Sequence, residues 1–191
     1  MEIVVRVGQG CLLLVFTLSV YGKVRGRRDF AEFTASVRAL VPLFGRSRPP
    51  AASAPAVPVL AVSVVAAEAT VVAALAVPGT APAGFALAAA LLAPFTLLAL
   101  AAARRRSDTP CRCFGRSTTP LGAVHAVRNA GLLAVAAAGL AATVLSGPRP
   151  GGPPAATVTA WLAGGVLGLL ATALDDLVGL FRPLPRKEQT P

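Results

Sequence analysis

Five stretches of this 191-residue chain are apolar over the roughly 20 residues that a helix needs to cross a bilayer core about 30 Å thick. They cover residues 3–21, 56–77, 85–103, 127–145 and 158–181. In hydrocarbon every backbone N–H and C=O must find a partner within the protein, so apolar runs of this length cross as helices. The fold class that follows is all-α: a polytopic membrane bundle of about five transmembrane helices. Composition agrees, with 55% hydrophobic and only 14% charged residues, where a soluble domain carries about 25% charged. Pro/Gly-rich turns at 78–82 and 147–154 keep the spans in one compact unit. Residues 1–181 therefore read as a single transmembrane domain, and 182–191 as a short basic tail.

A chain this apolar nevertheless carries a formal charge of +10. The basic residues resolve the conflict by their position. Residues 22–55 hold Lys23, Arg25, Arg27, Arg28, Arg38, Arg46 and Arg48, and residues 104–126 hold Arg104, Arg105, Arg106, Arg112 and Arg116. The tail adds Arg182, Arg186 and Lys187, and with five crossings all three segments share one side. That puts fifteen cations on one side, against Arg149 alone outside the spans on the other. The positive-inside rule places the N-terminus outside and the tail in the cytoplasm of a cell inner membrane. Residues 19–21 are a poor cleavage site because Tyr21 is not small, so the first span is expected to be retained. The basic loops report orientation, with help from anionic lipid; the partner they imply is the bilayer, not nucleic acid.

Between the first two spans, Asp29 and Glu32 have the spacing of a capping box. Phe30, Phe33, Val37, Leu40 and Phe44 then recur at helical spacing, with Pro42 limiting the helix. The expectation is an amphipathic helix over about 29–41, either lying on the inner leaflet or packed under the bundle.

The chemistry-bearing residues are few. Cys111 and Cys113, one residue apart, can close a small strained disulfide, which is labile rather than structural. The surrounding arginines favour thiolate and hence exchange. The plain alternative is two ordinary thiols in a reducing compartment, and on the cytoplasmic side only a transient disulfide is expected. His125 lies twelve residues past Cys113, a spacing that fits no usual zinc site and lacks a fourth ligand. No metal and no cofactor is expected. Cys11, in the middle of the first span, reads as a small hydrophobe.

Glu68 is an ionisable group within the second span, which must face the bundle interior, be protonated or pair with a cation. Arg128, opening the fourth span beside Asn129, is a candidate partner. The cluster is either a proton or substrate site or an interhelical hydrogen bond. Asp175 and Asp176 belong to the inner interface near Arg182 and Arg186, and Pro94 is expected to kink the third span. P-loop, GxSxG, HExxH and Rossmann signatures are absent from the sequence.

These residues together resemble a known group. Ser19-Val20-Tyr21-Gly22-Lys23, then Asp29-Phe30 and residues 37–42, is similar to the opening of DoxX-like and MauE membrane proteins, and Glu68 to a glutamate they carry in the second span. Cys111-Arg112-Cys113-Phe114-Gly115 followed by Val127-Arg128-Asn129 resembles the C-x-C-F-G and R-N block of the methylamine-utilisation MauE family. Arg112 stands where a small residue is common, and an Ala/Pro-rich insert occupies 47–58. The resemblance implies a DoxX-like four-helix core plus one helix. It also implies a redox-associated accessory protein that helps to mature a disulfide-rich partner, in the family a subunit of methylamine dehydrogenase, together with a thioredoxin-like protein. On that reading Cys111 and Cys113 form the reactive pair, and Glu68, Arg128 and Asn129 the polar bundle interior. The competing expectation is a small transporter, or a non-catalytic scaffold subunit, built around Glu68.

Overall fold

The computed structural model describes residues 1–40, 56–77, 79–104, 122–146 and 153–180, with the side chains of 175–180 left out. Cys111 and Cys113, with Arg105, Arg106, Arg112 and Arg116, lie outside the described residues. So do Phe44, Arg46, Arg48, Arg149, the tail and the side chains of Asp175 and Asp176. Among the described residues six helices run in order and no strand occurs: α1 (Glu2–Val24), α2 (Arg27–Leu40), α3 (Ala56–Ala76), α4 (Ala81–Arg104), α5 (Ala123–Ser146) and α6 (Pro154–Leu180). Five of them are long and apolar enough to cross a membrane. The all-α polytopic bundle expected from the sequence is the fold observed.

α4, α5 and α6 each begin four residues earlier than their apolar runs suggest. α4 and α6 take Pro82 and Pro154 into their first turns, where a missing N–H breaks no helical hydrogen bond. α4 continues unbroken through Pro94 to Arg104. At the other end α1 overruns its apolar stretch through Gly22, Lys23 and Val24. Lys23, counted above as a loop cation, is in fact buried at 3% exposure. One of the fifteen cations on that side is therefore an interior residue.

α1 is the central helix, packed against α3, α5 and α6, while α4 packs against α3 and α5. The core joins Leu12, Val15 and Phe16 of α1 to Val71 and Leu75 of α3, Phe85 and Leu92 of α4, and Leu132 of α5. α6 approaches α1 closely enough that a methyl group on Gly164 would run into the Val7 carbonyl, and one on Gly168 would lie 2.8 Å from the Cys11 carbonyl oxygen. Small residues permit this backbone-to-backbone contact between membrane helices. Leu162, Val166, Leu169 and Leu170 of α6 stay exposed, a surface suited to lipid tails.

At one end of the bundle the chain turns from α3 to α4 through Gly79, whose φ of 88° lies in the left-handed region that costs glycine little. The Thr80 hydroxyl donates to the Ala74 and Val77 carbonyls at 2.7 and 3.0 Å, satisfying the last turn of α3. At the other end lies α2, whose apolar face is turned to the bundle and whose Arg27, Arg28 and Arg38 are exposed. Leu40 forms a second apolar cluster with Leu98, Ala99 and Ala102 near the end of α4 and Ala126 near the start of α5. α2 itself packs on α1 and α3, and its last residue, Leu40, joins the cluster at the C-terminal end of α4 and the N-terminal end of α5.

Candidate functional site

From Leu12 onward the buried residues of α1 are Leu12, Val15, Phe16, Ser19 and Lys23, and four of them, Leu12, Phe16, Ser19 and Lys23, form one row. Their 4-3-4 spacing is one stripe of a helix. Lys23 is therefore carried inward by the same periodicity that buries Leu12, and its alkyl stem suits that position. Opposite it, Glu68 is the thirteenth of the 21 residues of α3 and is 4% exposed. At 1.5 Å per residue it lies about 18 Å along the helix from Ala56, near the middle of the crossing.

The Lys23 Nζ atom donates to both carboxylate oxygens of Glu68, at 2.8 Å each. Ser19 Oγ donates to Glu68 Oε1 at 3.1 Å, and Lys23 also donates to the Ser19 hydroxyl and, at 3.4 Å, to the Ser19 carbonyl. The Phe33 ring of α2 sits over the ammonium, 5.1 Å from Nζ to the ring centroid, within cation–π range. Charge is thus taken into the apolar bundle as a neutral, hydrogen-bonded pair, the form in which buried charges are tolerated. The carboxylate is ligated and the ammonium is held between a carboxylate, a hydroxyl and an aromatic face.

Asn129 of α5 lines the same small cavity, of about 40 Å³, as Ser19, Lys23, Phe33 and Glu68. Its neighbour Arg128 is buried as well, and His125 one turn earlier. Helical spacing sets these three on the bundle face, whereas Val127 between them is 71% exposed. The sequence offered Arg128 as the partner of Glu68; the cation that meets Glu68 is Lys23. Asn129 and Glu68, expected in the polar interior, are brought to one cavity. Ser19 and Lys23 complete it, and both were overlooked as site residues because Lys23 follows a glycine at the apparent end of the span. The 4-3-4 stripe was the signal that could have found them.

Polar groups also occur at the opposite end of α1. Arg6 forms an ion pair with Glu2 at 3.7 Å and donates to Gln9 Oε1 at 3.3 Å. The Gln9 amide reaches the Leu75 carbonyl at 3.1 Å. Between this group and Ser19 stand Leu12, Val15 and Phe16, all deeply buried. Nearer the α2 end, the hydrogen bond from Arg25 to Asp29 at 3.2 Å holds that guanidinium above its ordinary range. Among the described residues no group of three or more His, Cys, Asp or Glu side chains is placed to hold a metal ion.

The sequence profile described as methylamine utilisation protein MauE matches residues 1–142. The chain belongs to the MauE family. The match takes in α1 to α4 and most of α5, and with them each residue of the buried cluster; α6 lies beyond it. No curated protein and no solved structure matches the chain.

Proposed function

We propose that this MauE-family protein is an accessory factor of the cell inner membrane that supports thiol–disulfide exchange during maturation of a partner protein, with Cys111 and Cys113 as the exchanging pair. The observation that carries the reading is the apolar cluster that joins the two helix ends from which the thiol segment springs. Leu98, Ala99 and Ala102 of α4 and Ala126 of α5 share that cluster with Leu40 of α2, so the two helix ends flanking residues 105–121 lie together at the end of the bundle where α2 packs on α1 and α3. Membership of a methylamine-utilisation family fits the same reading; a dehydrogenase subunit and a thioredoxin-like protein are the partners in view.

In the exchange, one thiolate attacks a partner disulfide and forms a mixed disulfide, and the second thiolate displaces the partner. The Cys111–Cys113 pair leaves oxidised and the partner reduced by two electrons, and the reverse sequence oxidises the partner. The flanking arginines favour the thiolate that attacks. The N-terminus outside and the tail in the cytoplasm follow from the basic residues of the loops, fourteen of which remain on the α2 side once Lys23 is counted as interior. Mass-tag trapping in acid-quenched cells tests the proposal. Oxidised or mixed-disulfide forms that vanish in Cys111→Ser and Cys113→Ser are expected; thiols that are always reduced refute it.

A second reading, a small transporter that uses Glu68, is favoured by the depth of that carboxylate. Against it stands the apolar layer of Leu12, Val15 and Phe16, which separates the polar groups at the two ends of α1. It requires Glu68→Gln to abolish activity while the two Cys→Ser variants leave it intact.

A further inference from the structure

At the end of α1 remote from Lys23, a cleft of about 340 Å³ opens between α1 and α6, a size in the range of ligand sites. The two helices run parallel. A methyl group on Gly164 would meet Val7 and the Cys11 nitrogen, and one on Gly168, a turn later, the Cys11 oxygen and Val15. Their first turns therefore lie side by side. Glu2, Ile3 and Arg6 line one wall of the cleft, and Pro153, Ala156 and Thr157 the other.

Arg6 decides the chemistry of this space. A guanidinium carries five N–H donors, and this one makes a single hydrogen bond, from Nη1 to Gln9 Oε1 at 3.3 Å. Its Nε atom is buried and meets no hydrogen-bond acceptor among the described residues. The Glu2 carboxylate, 3.7 Å away, is an ion-pair partner beyond hydrogen-bond reach. The first N–H groups of a helix are also unspent: α1 has no side-chain cap, and α6 opens on the facing wall at Pro154. Each helix N-terminus acts as about half a positive charge. With Arg6 set against Glu2, the cleft keeps about one net positive charge, so its ligand is an anion. Arg6 stands only four residues into α1, about 6 Å along the axis, within reach of headgroup level. Ile3 on the wall, and Val4, Val158 and Leu162 close by, are exposed apolar side chains. A bare anion leaves that surface uncovered, whereas an acyl chain covers it.

We propose that the cleft holds a membrane phospholipid. Its phosphodiester oxygens sit on the Arg6 guanidinium, whose planar fork matches two of them, and on the open N–H groups at the start of α6. Its acyl chains run along Ile3, Val158 and Leu162. The bound lipid closes the seam between the first turns of α1 and α6. The site is remote from the thiols and independent of their proposed role.

Native mass spectrometry of the full chain, released from detergent micelles, tests the proposal. The probes are dioleoyl-phosphatidylglycerol and dioleoylglycerol, which has the same acyl chains and no phosphate. One phosphatidylglycerol should stay bound where dioleoylglycerol is lost, and millimolar sodium phosphate should not displace it. Arg6→Gln should weaken that tightest site about tenfold, the worth of one charge-assisted hydrogen bond. Ala156→Leu should weaken it as well by filling the cleft. Ala156 is exposed, so this variant spares both the core and the charge, and it decides alone if Arg6→Gln does not fold. Arg27→Gln, an exposed arginine of α2, should leave the tightest site unchanged. Equal retention of the two probes overturns the proposal, as does a phosphatidylglycerol adduct equally tight in either cleft variant. Displacement by sodium phosphate assigns the cleft to a free anion and overturns the lipid.

Discussion

Removing Lys23 should be the most damaging single change to the buried cluster, and removing its partner should be milder. In Lys23→Met the carboxylate of Glu68 stays about 18 Å inside α3, keeps only the Ser19 hydroxyl, and cannot reach either interface. Breaking a buried pair in this way costs about 3–5 kcal/mol. In Glu68→Leu the ammonium is the orphan, but Lys23 sits one residue from the end of α1 and its stem can unfurl toward the headgroups. The loss is then closer to that of charge-assisted hydrogen bonds, about 1.5–3 kcal/mol. Changing both, Lys23→Met with Glu68→Leu, leaves no uncompensated charge and should land within about 1.5 kcal/mol of the unaltered protein. The double-mutant cycle should thus show a favourable coupling of about 3 kcal/mol or more. Reversible unfolding by steric trapping in bicelles measures all four proteins. Single variants that each cost under about 1 kcal/mol, or a double variant as unstable as their sum, would refute the account of a matched interior pair.

Other outcomes follow from the packing. Gly164→Ala puts a methyl against the Val7 backbone carbonyl, which cannot turn aside; overpacking of this kind costs about 1–3 kcal/mol. Its neighbour Gly165 has open space around its Cβ position, so Gly165→Ala should be neutral or slightly stabilising in the same unfolding measurement. Leu40→Ala, at the junction of α2, α4 and α5, should cost about 2–4 kcal/mol, as truncation of a buried leucine does, and should raise the proteolysis rate of the α2 segment. Cys11, buried in the core cluster, should resist maleimide in the folded protein and react fully once unfolded. Labelling of Cys11 at the rate of a small exposed thiol would overturn its placement.

The five crossings were legible because a bilayer demands long apolar helices, and little else in the sequence satisfies that demand. α2 was legible too, from Phe33 and Leu40 at helical spacing, although its seat on α1 and α3 was not. Helix ends were less visible. Pro82 and Pro154 look like breaks but are harmless in a first turn, and Gly22-Lys23 looks like an exit from the membrane but is the last turn of α1. Lys23 was misplaced for a physical reason: a lysine is costly in hydrocarbon unless a partner exists, and the partner lies 45 residues away on another helix. Glu68 was recognised as needing a cation, yet sequence distance favoured none, and Arg128 next to Asn129 was the more conspicuous choice. Pairings between helices are tertiary facts, and only the fold that brings α1 and α3 together supplies them.

The seam between α1 and α6 joins two spans that lie far apart in the chain, with four helices between them. Gly164 and Gly168 can close on Val7 and Cys11 only after more than 150 residues have left the ribosome. At about 5–20 residues per second the matching surface of α1 waits on the order of ten seconds for its cover. Throughout that interval the Cys11 face of α1 borders lipid instead of protein. Assembly of the finished bundle is therefore timed by its C-terminal helix, and a chain truncated before α6 would leave the ribosome with its central helix half clothed.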